Sequence, residues 1–299
     1  MGFGSYSYEA HQAIAAKRAA LPAQEVFSQR SIHPLMDPKG VKFRECRDSP
    51  DHPNSIGIVF ALDVSGSMGQ IPEQIARKEL PTFMKALGNA GVADPQVLFM
   101  AFQDCAGGVA PLQVGQFEST AELMDQWLTW CWIMGGGASA YESYDLAFYF
   151  AAHHTKMDCF EKRKKKGYFF MSGDEPCYPA LKAEWVERFV GDKPAADIPL
   201  DKVVADLEQT FHAFYLVPDA ARGARVAPFW KKYLGERAIV LASPEDTCPV
   251  AAGAVALSEG AVPTVAALGE RLASSGLTAD RVERVVTALS PWAKSIGRG

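Results

Sequence analysis

From position 56 onward the chain alternates short, unbroken apolar runs with longer stretches whose apolar residues recur every three or four positions. Residues 56–62 (IGIVFAL), 96–102 (QVLFMAF), 167–171 (GYFFM), 211–218 (FHAFYLVP) and 237–243 (RAIVLAS) read as strands. Their nearly continuous apolar character is that of strands covered on both faces. Residues 111–117 (PLQVGQF) alternate more strictly. They follow the 96–102 run too closely for a parallel crossover, which predicts an antiparallel pair. Between the runs, a helix is predicted over 70–88, with Ile71, Ile75, Leu80, Phe83, Met84 and Leu87 as its apolar set and a kink at Pro81. A second covers 119–134, opened by a capping box of Ser119 and Glu122. A third follows the glycines at 135–137, opened by a box of Ser139 and Glu142. Further helices are expected near 180–190, 200–210, 225–235 and 247–260, and after Pro263 and Thr278. Strands alternating with helices predict a doubly wound, mostly parallel α/β sheet with one antiparallel edge strand.

Residues 1–54 read as an N-terminal extension: a short helix around 8–20, then a charged stretch rich in turn formers. Residues 55–260 are expected to form the α/β domain, and 261–299 a C-terminal helical segment. With 48% hydrophobic residues in a chain of 299, a substantial core can be built. The net charge of −5 argues against nucleic acid as the main partner. The six cysteines (Cys46, Cys105, Cys131, Cys159, Cys177 and Cys248) include no CxxC pair and are too dispersed for a disulfide framework. The first residues carry no charged-then-apolar leader, so reduced thiols in a cytoplasmic protein are expected. Tyr6 breaks the myristoylation pattern, and no apolar run reaches the roughly 18 residues of a membrane span. The basic run at 161–167 (EKRKKKG) reads as the solvated end of a helix, where lysines suit the negative end of the dipole.

In open α/β sheets, ligands bind beyond the carboxyl ends of the strands, where strand order reverses. The first run ends in Asp63, Val64, Ser65, Gly66 and Ser67. Alternate residues of such a turn can face one point, gathering a carboxylate and two hydroxyls. A hard cation such as Mg²⁺ takes oxygen ligands of this kind at about 2.0–2.1 Å and keeps some of its water. The plainer alternative is a turn whose serines cap the next helix. The 167–171 run leads into Ser172, Gly173, Asp174 and Glu175, and the 96–102 run into Gln103 and Asp104.

Asp-x-Ser-x-Ser after a first buried strand, followed by an antiparallel third strand, a glycine-rich loop before a helix and an acidic loop after the next strand, resembles the metal-ion-dependent adhesion site of von Willebrand factor A domains. The similarity in order and spacing covers about residues 56–258. It implies a Rossmann-like sheet and a bound Mg²⁺, with Mn²⁺ or Ca²⁺ as substitutes. The ligands it implies are Asp63, Ser65 and Ser67 from the first loop, a hydroxyl from the second and an acid from the third. The family's third-loop Thr-Asp-Gly is shifted here to Ser172-Gly173-Asp174, which makes Asp174 the choice and Glu175 the alternative. Its second-loop Gly-Gly-Thr becomes Gly135-Gly136-Gly137-Ala138-Ser139, so Ser139 is either the replacement hydroxyl or a helix cap. The resemblance also implies a non-enzymatic role, in which an Asp or Glu of a protein partner fills the open position on the ion. Bacterial intracellular members of the family work beside AAA+ ATPases or kinase and phosphatase systems.

Other candidates read more plainly. Glu142 is first a cap and second an internal ligand, and Asp104 is a solvated strand end before it is an outer contact of the site. His153 and His154 are adjacent on a helix and point about 100° apart, which does not suit a shared zinc ion. Nothing near Cys105 or Cys177 in sequence would lower a thiol pKa. Trp127 and Trp130 share a helical face and read as core, while Trp132 points elsewhere and could anchor a surface contact. A metal-assisted hydrolase of phosphatase type is the competing reading. It lacks an Asp-x-Asp pair after the first strand, a nucleophile elbow and a phosphate-binding glycine signature. A scaffold with a degenerate metal site is the third.

Overall fold

The computed structural model describes residues 6–133, 135 and 140–299. Six strands form the central sheet: β1 (Ile56–Asp63), β2 (Pro95–Phe102), β3 (Leu112–Val114), β4 (Gly167–Ser172), β5 (Phe211–Val217) and β6 (Ala238–Val240). Their spatial order is β6-β5-β4-β1-β2-β3. Every neighbouring pair is parallel except β2 and β3, where Phe102 faces Leu112 in antiparallel register, as the short connection predicts. The longer helices are α1 (Tyr8–Ala19), α2 (Leu80–Asn89), α3 (Ala121–Thr129), α4 (Tyr144–His153), α5 (Leu200–Thr210), α6 (Ala220–Leu234), α7 (Thr247–Glu259), α8 (Val265–Ser274) and α9 (Ala279–Ser295).

Strand side chains alternate between faces, so the wholly buried β1 feeds two cores. Ile58, Phe60 and Leu62 pack with residues of α2, α7 and α9 on one face. Val59 and Ala61 pack with α4, α5 and α6 on the other. This is the doubly wound arrangement the alternation predicts. The chain leaves β1 for β2 and β3 on one side, then returns to place β4 on the other. Strand order therefore reverses between β1 and β4, and the crevice of the sheet opens at Asp63 and just beyond Ser172.

Several local expectations are corrected. Thr120, not Ser119, caps α3, accepting from the Leu123 N–H at 3.4 Å. The second capping box does not form around Glu142: α4 starts only at Tyr144, and Glu142 bridges to Cys177 outside the helix. Ser139 lies outside the described residues. Ala180–Leu181 is a strand paired with Ile198–Pro199, and the helix there is Ala183–Phe189. α6 begins at Ala220, five positions before the predicted start, because the Asp219 carboxylate caps it by accepting from Arg222 N–H at 2.9 Å. Before Pro81 the helical run passes through a π-helical turn, Ile75–Glu79, a local distortion of the ladder next to the proline that the sequence marked as a kink.

The extension packs onto the domain. α1 lies against α2 and α3, and Arg44–Cys46 pairs in parallel with Thr155–Met157. The ring nitrogens of His154 lie 2.8 Å from the Val41 carbonyl and 2.8 Å from Asp192. The basic run is not simply a solvated helix end. Arg163 donates to both oxygens of Asp48, at 2.7 and 3.1 Å, Lys162 adds a contact at 3.3 Å, and Lys165 pairs with Glu259 at 2.9 Å. Burial works against the charge of Asp48, but bonds from Arg163, Ser55 and Lys162 outweigh it and hold the carboxyl well below the usual range. No helix among the described residues is long and apolar enough to cross a membrane.

A depressed carboxylate pKa stabilises the fold above the unfolded value and loses that contribution as pH falls through the folded one. Asp48→Asn should therefore lower stability at pH 7 by about 1 kcal/mol, a figure discounted for solvent screening. The gap to the parent should shrink progressively below about pH 4, the ordinary carboxylate range. Urea melts of the two proteins at pH 7 and pH 3 check this, and an undiminished gap at low pH would contradict it.

Candidate metal centre at the sheet switch point

Asp63 ends β1 and is fully buried. Its Oδ1 accepts from the Ser65 N–H at 2.8 Å, which bends the chain over the strand end. The Ser65 and Ser67 hydroxyl oxygens then lie 3.0 Å apart. Ser67 donates its hydroxyl proton to Oδ1 of Asp174 at 2.7 Å, joining two loops 107 residues apart in sequence. Its one proton being committed there, Ser67 meets Ser65 as an acceptor, and lone pairs on both oxygens stay open to a cation. Asp63, Ser65, Ser67 and Asp174 thus converge on the switch point, as the strand ends predict.

The loop after β4 is held from below by buried aromatic groups. Tyr215 Oη and Trp230 Nε1 each donate to the Glu175 carbonyl at 3.1 Å. The Glu175 N–H donates to Tyr144 Oη at 3.2 Å, and Tyr144 itself donates to Oδ2 of Asp63 at 3.3 Å. Gly173 permits this: a Cβ at that position would lie 2.2 Å from Tyr144 Oη. From above, Arg222 of α6 donates through Nε to Oδ2 of Asp174 at 2.9 Å and through Nη2 to the Ser67 carbonyl at 3.0 Å, and it also pairs with Asp219. Arg225 donates to both Glu175 oxygens, at 2.8 and 2.9 Å, and to the Asp174 carbonyl at 2.7 Å. Glu175, the alternative ligand, is thereby committed to an ion pair.

Four buried carboxyls around the site, Asp63, Asp104, Glu142 and Asp145, have no such counterion among the described residues. Among the described residues no ion pair reaches Asp63, and burial pushes its pKa up to about 7, with Asp174 adding to the rise against hydrogen bonds from Ser65. Glu142 is 3% exposed with no hydrogen-bond partner on Oε2, and burial, then Asp63, Asp104 and Asp174, pushes it up to about 9. Asp104 is buried rather than solvated, accepting from Tyr178 Oη and the Ala106 N–H, each at 2.9 Å. Among the described residues no three His, Cys, Asp or Glu side chains converge to hold a metal by themselves. The candidate set here is instead two carboxylates with two hydroxyls. All six cysteines are buried free thiols, and burial raises Cys105 and Cys177 well above the ordinary range.

Tyr144, Arg222 and Arg225 did not stand out from the sequence. The spacing of Arg222 and Arg225, one helical turn apart just after a strand end, is the signal that could have found them.

No protein-family profile matches the chain, and no curated protein matches it. Among solved structures, the pilus adhesin SpaC from Lactobacillus rhamnosus GG is similar over 71% of this chain and 32% of its own, at 11% identity and a TM-score of 0.47. Its open conformation gives 84% and 31%, 12% identity and a TM-score of 0.39. Proximal thread matrix protein 1 from the mussel byssus is similar over 71% of this chain and 48% of its own, at 11% identity and a TM-score of 0.42. The chain spans less than half the length of each of these proteins. Likeness at this level bears on neither the site nor its use.

A carboxyl with a raised folded pKa favours the fold fully below its unfolded value, and that contribution is lost as pH climbs to the folded one. In chelator, Glu142→Gln should match the parent near pH 4 and exceed its stability by about 1–3 kcal/mol at pH 9, the order of an unmet buried polar group. Denaturant melts at both pH values read the difference, and equal stability at pH 9 would show that Glu142 is already satisfied.

Proposed function

We propose that this chain is a metal-dependent protein-interaction module of the von Willebrand factor A kind. In this reading Asp63, Ser65, Ser67 and Asp174 hold Mg²⁺ directly or through water, and Ser139 of the second loop supplies a further hydroxyl. The observation that carries the reading is the hydroxyl bridge from Ser65 through Ser67 to Asp174, set at the point where strand order reverses.

The donor chemistry supports it. Every candidate ligand is an oxygen, as hard cations require. Adjacent ligands of an octahedral ion with 2.1 Å bonds are about 3.0 Å apart, whereas the longer bonds of Ca²⁺ spread them to roughly 3.3–3.7 Å. The 3.0 Å between the two serine oxygens, which is also the length of the hydrogen bond between them, is compatible with adjacent ligands of Mg²⁺ or Mn²⁺. Asp63, buried with no counterion among the described residues and with its pKa pushed up to about 7, would give up its proton readily to a cation at neutral pH.

When bound, the ion supplies an open Lewis-acid position for a carboxylate. The partner is a protein presenting an Asp or Glu, with an AAA+ ATPase or a kinase or phosphatase system of the bacterial cytoplasm as the kind of assembly the resemblance suggests. The module binds rather than catalyses. Neither nucleic acid nor membrane enters this reading.

Calorimetric titration of the chelator-stripped protein is the test. Mg²⁺ and Mn²⁺ should bind the parent. Asp63→Ala should weaken binding at least 100-fold and Ser67→Ala by about tenfold, corresponding to about 2.7 and 1.4 kcal/mol. Equal heats from the parent and a folded Asp63→Ala protein would overturn the assignment.

A further inference from the structure

Among the described residues, Arg222 is the one that touches both the first and the third loop of the candidate centre and carries a charge of the same sign as the ion. Its Nε donates to Oδ2 of Asp174 at 2.9 Å, on the oxygen opposite the one taken by Ser67, and its Nη2 donates to the Ser67 carbonyl at 3.0 Å. Asp174 is 2% exposed, so this pair lies in a partly desolvated place where charges act strongly on one another. Arg225 lies 4.0 Å from the same oxygen, but its short contacts go to Glu175 and the Asp174 carbonyl. Asp63 has hydrogen-bond donors only, from Ser65 and Tyr144.

Resting on the metal reading above, we infer that Arg222 determines specificity: it shares Asp174 with the ion, so that the loaded centre is spared a net negative charge and takes an anionic ligand, at the expense of affinity for the bare ion. The charges explain why. Asp63 and Asp174 together offer two negative charges to a divalent cation, which would neutralise them and leave little attraction for a further carboxylate. Arg222 cancels one of those charges. Asp219 also pairs with Arg222, so the loaded set of Asp63, Asp174, Asp219, Arg222 and the ion is neutral, whereas the same set without Arg222 would carry one negative charge and repel a carboxylate of the partner. The Glu175–Arg225 pair contributes no net charge, and Glu142 is the same in every variant compared, so neither alters the difference that Arg222 makes.

A merely structural Arg222 would hold the two loops together, and its loss would weaken every property of the site alike. A charge-setting Arg222 makes two properties move in opposite directions. The experiment measures both: Mn²⁺ binding to chelator-stripped protein by calorimetry, then acetate titrated into the Mn²⁺-saturated protein, followed by the water-proton relaxation that Mn²⁺ enhances. Arg222→Gln should bind Mn²⁺ about tenfold more tightly than the parent and acetate at least tenfold more weakly. Arg222→Lys, which keeps the charge but not the two-point hydrogen bonding, should stay within about threefold of the parent on both counts. A folded Arg222→Gln protein that binds both as the parent does, or binds both more weakly, overturns the inference and leaves the metal reading standing. So does an Arg222→Lys protein that behaves like Arg222→Gln. If neither the parent nor Arg222→Gln binds Mn²⁺, the metal reading itself has failed and the inference with it. If only Arg222→Gln binds Mn²⁺, the parent takes up no ion for Arg222 to share Asp174 with, and the inference and the metal reading are both overturned.

Discussion

A carboxylate at the end of the longest wholly buried strand sets the terms for everything around it. Asp63 follows seven buried residues of β1, and its own side chain is fully enclosed. Burying a charge without a counterion is among the costliest arrangements a fold can keep. Here the charge is met by an N–H of its own loop and a tyrosine hydroxyl from α4. Those two bonds dictate neighbouring details. The loop must turn tightly enough to bring Ser65 back over the strand end, and residue 173 must be glycine for Tyr144 to reach in. The aromatic cluster of Tyr144, Tyr215 and Trp230 must sit where its polar atoms also secure the Glu175 backbone.

The negative groups of this crevice are treated in two ways. Asp174 and Glu175 are neutralised by arginines on the first turns of α6, while Asp63 and Glu142 are left without counterions on the β1 and second-loop side. The result is a crevice with two sides: ion-paired where α6 overhangs it, and lined at its floor by carboxyls that burial pushes toward their neutral forms. A divalent ion settling between the serine hydroxyls would bridge the two halves. The ion pairs also give the helix a role that the sheet alone does not specify, and Arg222 lies on α6 only by virtue of its early start at Ala220.

Much of this was legible in the sequence because it is local or periodic. Unbroken apolar runs marked the sheet, and the short link between residues 102 and 111 forced the antiparallel β3. The two-residue spacing of Asp63, Ser65 and Ser67 identified one half of the centre, and the acidic end of β4 the other. What was not legible depends on distant pairings. Glu142 fits a capping-box pattern, yet its backbone is drawn into a bridge with Cys177, and α4 starts beyond it. Asp104 looks like a solvated strand end until Tyr178 closes over it. Arg222 meets Ser67 across 155 residues, a contact no local pattern encodes. The basic run at 161–167 reads as surface from composition alone, because its acidic partner, Asp48, sits in an extension whose placement periodicity does not predict.

The most direct test is to see where an ion goes. Crystals of the chelator-stripped protein soaked in Mn²⁺ would give an anomalous difference map with Mn²⁺ as its scatterer. A single strong peak about 2.1–2.3 Å from both the Ser65 and Ser67 hydroxyl oxygens, near Asp63 and Asp174, is the predicted result. A map with no peak at the ends of β1 and β4, or with its strongest peak at another cluster of acids, would contradict a metal centre at the switch point of this sheet.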